Sequence, residues 1–136
     1  YFLQPEGKGF NDELIRDFLF HKGIAISDTA QQVIRLEGNA ADKSLQIVEP
    51  VDLNHLLAQL PDCHAIMTTG ELATTTLVSL LPPTTKTPRI GVTSTTQFNG
   101  RTLDLYRLPS SSRAYPLALE KKAKIYHAFF EALRMV

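Results

Sequence analysis

Three consecutive serines, Ser110, Ser111 and Ser112, form the stretch of the chain best suited to bind an anion. An alternating apolar run ends just before them, and Arg113 and a proline-led, lysine-rich helical pattern follow. This order predicts a strand, a loop rich in hydrogen-bond donors and a helix N-terminus, whose unpaired N–H groups favour negative charge. The same pattern is also typical of a simple helix cap, and the sequence leaves this alternative open.

Asp28 is the first candidate for a functional carboxylate. It follows the short apolar run Ile24–Ile26, which predicts a strand. Residues just beyond the carboxyl end of a strand face the ligand crevice of an α/β sheet. The alternative is that Asp28 caps a following helix. A carboxylate beside a phosphate-binding loop suits a reaction on a sugar phosphate or nucleic acid, because positive charge develops on the sugar while the backbone is held.

Metal chemistry and covalent chemistry find little support in the residue spacing. The histidines and Cys63 lack the paired ligand spacing typical of zinc, so neither a metal nor a cofactor is predicted. The serines lack a Gly-x-Ser-x-Gly nucleophile elbow, and no glycine-rich phosphate loop occurs. A small hydrolase with a serine nucleophile stays as a minor alternative.

Alternating helices and strands are expected to position these candidates. Apolar residues recur at helical spacing over 11–23, 31–36, 52–60, 71–81 and from Pro116 onward. Asn11 and Asp52 are the expected N-caps, Gly23 is the expected C-terminal stop, and the apolar stripe of the last helix includes Leu119 and Phe129. Strand patterns cover 24–26, 44–49, 65–69, 89–98 and 102–108, with Asn99-Gly100 as the hairpin turn between the last two. This order predicts one α/β domain over residues 1–136, a three-layer α/β/α sandwich with a mostly parallel central sheet.

Charge and composition restrict the class of protein. The chain has 136 residues, 43% of them hydrophobic, and its 14 basic and 14 acidic side chains balance. Residues 101–136 carry 7 basic against 3 acidic side chains, which indicates either a basic face beside the serines or an ordinary solvated helix. The single cysteine, Cys63, and the lack of an apolar run of about 20 residues predict a cytoplasmic protein with no membrane partner.

Three stretches resemble the uracil-DNA glycosylase superfamily: GIAISDT at 23–29, TGELA at 69–73 and above all RLPSSSRAY at 107–115. The most similar branch contains deoxyinosine and mismatch-specific DNA glycosylases, whose second motif reads approximately Leu-Pro-Ser-Thr-Ser-Pro-Ala. The resemblance runs from about Phe10 to the C-terminus. It implies a metal-free enzyme of base-excision repair with a uracil-DNA-glycosylase-like fold. Such an enzyme binds double-stranded DNA, flips out uracil, hypoxanthine or mismatched thymine, and hydrolyses the N-glycosidic bond.

The resemblance also implies roles for individual residues. Asp28 matches the polar residue of the base pocket, where it is expected to help form the pocket or stabilise the cationic sugar. Asn39 and Asp42 lie on a polar loop that matches the segment after this pocket. Arg113 stands where the branch has proline, and it is expected to contact a phosphate or probe the vacated stack. The implied DNA-gripping loop consists of Leu108, Pro109, Ser110, Ser111, Ser112 and Arg113.

Two departures from the family pattern limit what the resemblance implies. Leu108 stands where well-known uracil glycosylases have histidine, so a preference for uracil is not implied. The family's first motif, which positions the attacking water, has no counterpart here and is expected upstream of Tyr1. The chain is therefore expected to be the C-terminal part of the domain, inactive alone and prone to self-association through an uncovered sheet edge. A non-catalytic nucleic-acid-binding or nucleotide-binding module of the same fold is the main alternative.

Overall fold

The computed structural model describes residues 11–28, 30–35, 45–110 and 116–133, except for the side chains of 30–35 and 45–48. Within these ranges the chain forms four helices, α1 (Asp12–Lys22), α2 (Leu53–Ala58), α3 (Glu71–Ser79) and α4 (Leu119–Ala132). The same ranges contain five strands, β1 (Ala30–Arg35), β2 (Leu45–Pro50), β3 (Ala65–Thr69), β4 (Ser94–Phe98) and β5 (Arg101–Leu108). The α/β class predicted from the sequence is confirmed.

The strands form two separate sheets. The larger sheet has the order β3-β5-β4, in which β3 runs parallel to β5 and β4 runs antiparallel to it. The smaller sheet is the antiparallel pair of β1 and β2. In the described part of the chain, two of the three strand pairings are therefore antiparallel, and the expected mostly parallel sheet is not what these residues form.

The hydrophobic core lies on one face of the larger sheet. Leu103 and Leu105 of β5 are 0% and 1% exposed, and they pack with four further buried leucines: Leu53 and Leu57 of α2, Leu77 of α3 and Leu81 just after α3. Side chains alternate along a strand, so Tyr106 projects from the opposite face. There it meets Phe129 of α4 edge to face, with ring centroids 4.8 Å apart. Helices therefore contact both faces of β5.

Short-range signals in the sequence are confirmed where they depend on neighbouring residues. The side chain of Asn11 caps α1 by accepting a bond from the Leu14 amide at 3.1 Å, and Asp52 caps α2 in the same way through the His55 amide. Asn99 and Gly100 have φ of 51° and 77°, the left-handed conformation that a tight hairpin turn between β4 and β5 requires.

Two predicted elements are wrong. Ile24–Ile26 is not a strand, because Gly23 ends α1 in the left-handed conformation and the Ile24 amide bonds back to the Leu19 carbonyl at 2.9 Å. Ile26 is 76% exposed. In the segment predicted as a helix over 31–36, the described residues 31–35 belong to the strand β1, because pairing with β2 supplies their backbone hydrogen bonds.

The last helix also begins later than its sequence pattern suggests. α4 starts at Leu119 rather than in the turn that contains Pro116, and Leu119 itself is 79% exposed instead of joining the buried stripe. Phe129 is buried as predicted, and Lys122 is the second buried residue of this helix. No helix in the described ranges is both long and apolar enough to cross a membrane.

Candidate site at the carboxyl edge of β3 and β5

The carboxyl ends of the parallel strands β3 and β5 meet at one edge of the sheet. Their pairing ends with Thr69 opposite Leu108, and the Gly70 amide then donates to the Leu108 carbonyl at 3.1 Å. The chain leaves β5 through Pro109 and Ser110 directly beside the start of α3. Ligands of open α/β sheets bind at such an edge, so this is the candidate site, which we call the carboxyl edge.

Gly70 makes the tight turn from β3 into α3. Its φ of 98° and ψ of 167° lie in a region that residues with a side chain rarely adopt, and its backbone is buried. Gly70 is also the N-cap of α3, and it offers no side-chain oxygen to the first N–H groups of the helix. Hydrogen-bond donors and the positive end of α3 therefore face the carboxyl edge.

A pair of threonine hydroxyls holds this turn in place. The Thr74 hydroxyl, 1% exposed as a residue, donates to the Gly70 carbonyl at 2.7 Å. Thr68 Oγ1 lies 2.8 Å from Thr74 Oγ1 and 3.4 Å from the Tyr106 carbonyl. Because the only proton of the Thr74 hydroxyl is used on Gly70, the Thr68 hydroxyl is the donor to Thr74, and it shares its proton with the more distant Tyr106 carbonyl. The end of β3 and the first turn of α3 are thereby tied together.

The start of the serine-rich loop is anchored from the other side of the sheet. Leu108 is 2% exposed and Pro109 is fully buried, and the Tyr126 hydroxyl of α4 donates to the Pro109 carbonyl at 2.8 Å. Leu108 and Pro109 are therefore core residues that anchor the start of the loop, and their side chains do not reach the surface. Ser110 is half-buried and is the first residue of the loop that can reach a ligand.

Most of the other residues predicted for the site lie outside the described residues, namely Ser111, Ser112, Arg113, Asn39 and Asp42. Asp28 is described and exposed, in a segment without regular structure, where its carbonyl accepts a bond from the Ser27 hydroxyl at 3.1 Å. No strand of the larger sheet carries Asp28 to the carboxyl edge. Its role in a base pocket stays a prediction.

Two residues with no role in the site predicted from the sequence lie at the carboxyl edge. Glu71 is the first residue of α3, and its side chain is exposed. Arg107, which pairs with Thr68, is half-buried, and its Nε atom is buried without a hydrogen-bond partner. The rule that singled out Asp28, a charged residue just after a strand, also applies to Glu71.

These residues place groups of both charges at the carboxyl edge. The guanidinium of Arg107 and the N–H groups of α3 suit a phosphate, and the carboxylate of Glu71 suits a developing positive charge. In the part of the chain that is described, no three His, Cys, Asp or Glu side chains lie close enough together to hold a metal ion. Comparison of the chain with protein-family models, curated proteins and solved structures finds no match.

Proposed function

We propose that the protein is a DNA glycosylase of base-excision repair, built on a uracil-DNA-glycosylase-like α/β/α sandwich. The observation that supports the proposal is the position of the Leu108-Pro109-Ser110 segment. It leaves a parallel strand beside the uncapped start of α3, with its backbone anchored by Gly70 and Tyr126. An anchored loop and a helix N-terminus together can hold a DNA phosphate while a nucleotide leaves the base stack.

In the proposed reaction, the oxygen of water bonds to C1′ of the deoxyribose as the bond from C1′ to the base nitrogen breaks. The proton that water releases ends on the departing base, which yields the free base and an abasic site. Positive charge develops on the sugar during this step, and a nearby carboxylate lowers its energy. Glu71 is the described carboxylate at the carboxyl edge, and Asp28 is the carboxylate that the family resemblance indicates. Ser110 and the following serines hold the backbone, which positions the substrate without reading its sequence.

The proposal is tested with the full-length protein on duplexes that carry uracil, hypoxanthine or thymine opposite guanine, with alkaline cleavage of abasic products as the readout. We expect Glu71→Gln or Asp28→Asn to lower the single-turnover rate by about 100-fold or more. Glu120→Gln is the matched control for Glu71, because both glutamates lie in the first turn of a helix and both side chains are exposed. We expect this control to leave the rate within about 2-fold.

A second candidate is a nucleic-acid-binding module without glycosylase activity. Leu108 favours it, since a leucine that is 2% exposed cannot polarise a base carbonyl at the position where well-known uracil glycosylases have histidine. Salt-sensitive DNA binding without any abasic product would establish this second function in place of the first. Absence of both cleavage and binding would refute both functions.

A further inference from the structure

A cleft of about 540 Å³ lies between the segment that joins α3 to β4 and the first residues of β4. The cleft is open to solvent rather than enclosed, so it suits a ligand that lies along the surface. The described residues that line it include Lys86 and Arg89 and five threonines or serines, among them Thr87, Thr93 and Thr95, and none of them is acidic. The Thr95 hydroxyl donates to the Asp104 carboxylate at 3.1 Å, just outside the lining, and the Ser94 hydroxyl donates to a backbone carbonyl. The two cations and the remaining threonine hydroxyls favour an anionic ligand.

Hydrogen bonds fix the walls of this cleft. The Ser94 hydroxyl donates to the Lys86 carbonyl at 2.8 Å, which joins the connecting segment to the start of β4. One residue before Lys86, outside the lining of the cleft, the Thr85 hydroxyl lies 2.7 Å from the Thr96 hydroxyl of β4 and joins the same two segments. Lys86 and Arg89 are themselves exposed. The walls are therefore formed before a ligand binds. Because the two cations are already exposed, they can contact a ligand without a rearrangement of the core.

One end of the cleft adjoins the carboxyl edge. Arg89 begins a turn that is closed by a bond from the Val92 amide to the Arg89 carbonyl at 3.0 Å, with Gly91 at a φ of 77°. The middle of this turn pairs with Arg107, because the Gly91 amide donates to the Arg107 carbonyl at 3.1 Å. The cleft therefore begins beside the residue that precedes Leu108.

The turn between the two regions presents apolar side chains next to the cations. Ile90 is 37% exposed and Val92 is 55% exposed. Along the chain, the two cations Lys86 and Arg89 come first and the two exposed apolar residues Ile90 and Val92 follow. A ligand that combines phosphates with apolar sugar surface can contact both groups. A single strand of nucleic acid has this chemistry, whereas a free phosphate leaves the apolar side chains without a partner.

We propose that this cleft binds the sugar-phosphate backbone of single-stranded DNA through Lys86 and Arg89. The site is separate from the carboxyl edge, and its binding does not require base excision. It lies where a DNA strand that is held at Ser110 continues over the Ile90–Val92 turn. The cleft would then guide the strand that flanks the flipped nucleotide.

The test measures binding of a fluorescent thymidine 20-mer without a lesion to the full-length protein, at a series of salt concentrations. Each phosphate contact to a single strand contributes about 0.7 to the slope of log affinity against log salt. We expect Lys86→Gln/Arg89→Gln to reduce this slope by about 1.4. The affinity advantage of the unmodified protein then shrinks by about 7-fold between 50 and 200 mM salt.

Arg16→Gln/Lys22→Gln is the matched control, because it also removes one arginine and one lysine from exposed positions, here on α1. We expect it to leave the slope within about 0.3 of the unmodified protein. Equal losses in the two double variants would overturn the proposal, because the effect would then follow total charge alone. So would failure to bind the 20-mer, or binding of tripolyphosphate at Lys86 and Arg89 without binding of DNA. If the protein binds the 20-mer but excises no base from any lesion duplex, the proposed glycosylase function is refuted and the proposed binding cleft is not.

Discussion

The hydroxyl pair of Thr68 and Thr74 gives the sharpest test of how the carboxyl edge is held together. Thr74→Val keeps the shape of a buried side chain but removes its hydroxyl, and with it two hydrogen bonds of 2.7 and 2.8 Å. The Gly70 carbonyl keeps its bond from the Thr74 amide at 3.2 Å, so no backbone acceptor is left unpaired. At about 1 kcal/mol for each neutral bond, the free energy of unfolding should fall by about 2 kcal/mol.

The measurement is urea denaturation of the purified protein. An unchanged slope of the free energy of unfolding against urea concentration shows that only the stability has changed. Thr75→Val is the matched control, since Thr75 is the next residue of α3, is exposed, and bonds only to the Leu72 carbonyl at 3.2 Å. We expect this control to change the free energy of unfolding by less than about 0.5 kcal/mol.

A double-mutant cycle separates the hydroxyl pair from ordinary packing. In Thr68→Val/Thr74→Val both partners are apolar, so neither hydroxyl is left buried without its partner. The double variant should therefore be about 1 kcal/mol more stable than the sum of the single effects implies. An additive cycle, or a Thr74→Val variant as stable as Thr75→Val, would refute the assignment of this pair as the support of the turn.

Three further predictions concern the anchors of the sheet, each measured by urea denaturation. Tyr126→Phe removes the donor to the Pro109 carbonyl at 2.8 Å and should cost about 1–2 kcal/mol; an unchanged midpoint would show that the loop is held otherwise. Arg101→Met removes guanidinium bonds of 2.7 and 3.2 Å to carbonyls at the end of α2, with an expected loss of about 2–3 kcal/mol, and no loss would contradict this role. Leu105→Ala, at 1% exposed, should cost about 2–5 kcal/mol, whereas Leu119→Ala, at 79% exposed, should stay within about 0.5; similar losses would contradict the burial pattern.

The candidate site was predictable in part. The sequence predicts a ligand-binding loop after β5, and the structure brings the exit of β5 beside the start of α3 at the carboxyl edge. Glu71 could have been recognised by the rule applied to Asp28. Arg107 could not, because its significance depends on a buried Nε without a partner, and burial follows from packing rather than from residue type.

The errors in the fold have a common cause. Residues 31–36 carry a helical spacing of apolar residues, and Ile24–Ile26 carries a strand composition, but both patterns are short. Whether such a short segment becomes a helix or a strand is decided by the part of the chain with which its backbone forms hydrogen bonds. β2 is available to pair with β1, whereas the cap at Gly23 already engages the backbone of Ile24. Neither fact can be read from the segment itself.

Features that depend on local interactions follow from the sequence alone. The caps at Asn11 and Asp52, the left-handed stop at Gly23 and the Asn99-Gly100 hairpin each involve residues within a few positions of one another. Packing of distant segments, in contrast, sets which strands pair, buries Leu108 and Pro109, and forms the cationic cleft beside β4. Those outcomes depend on contacts between segments far apart in the chain, and such contacts exist only once the sheet and its helices have packed together.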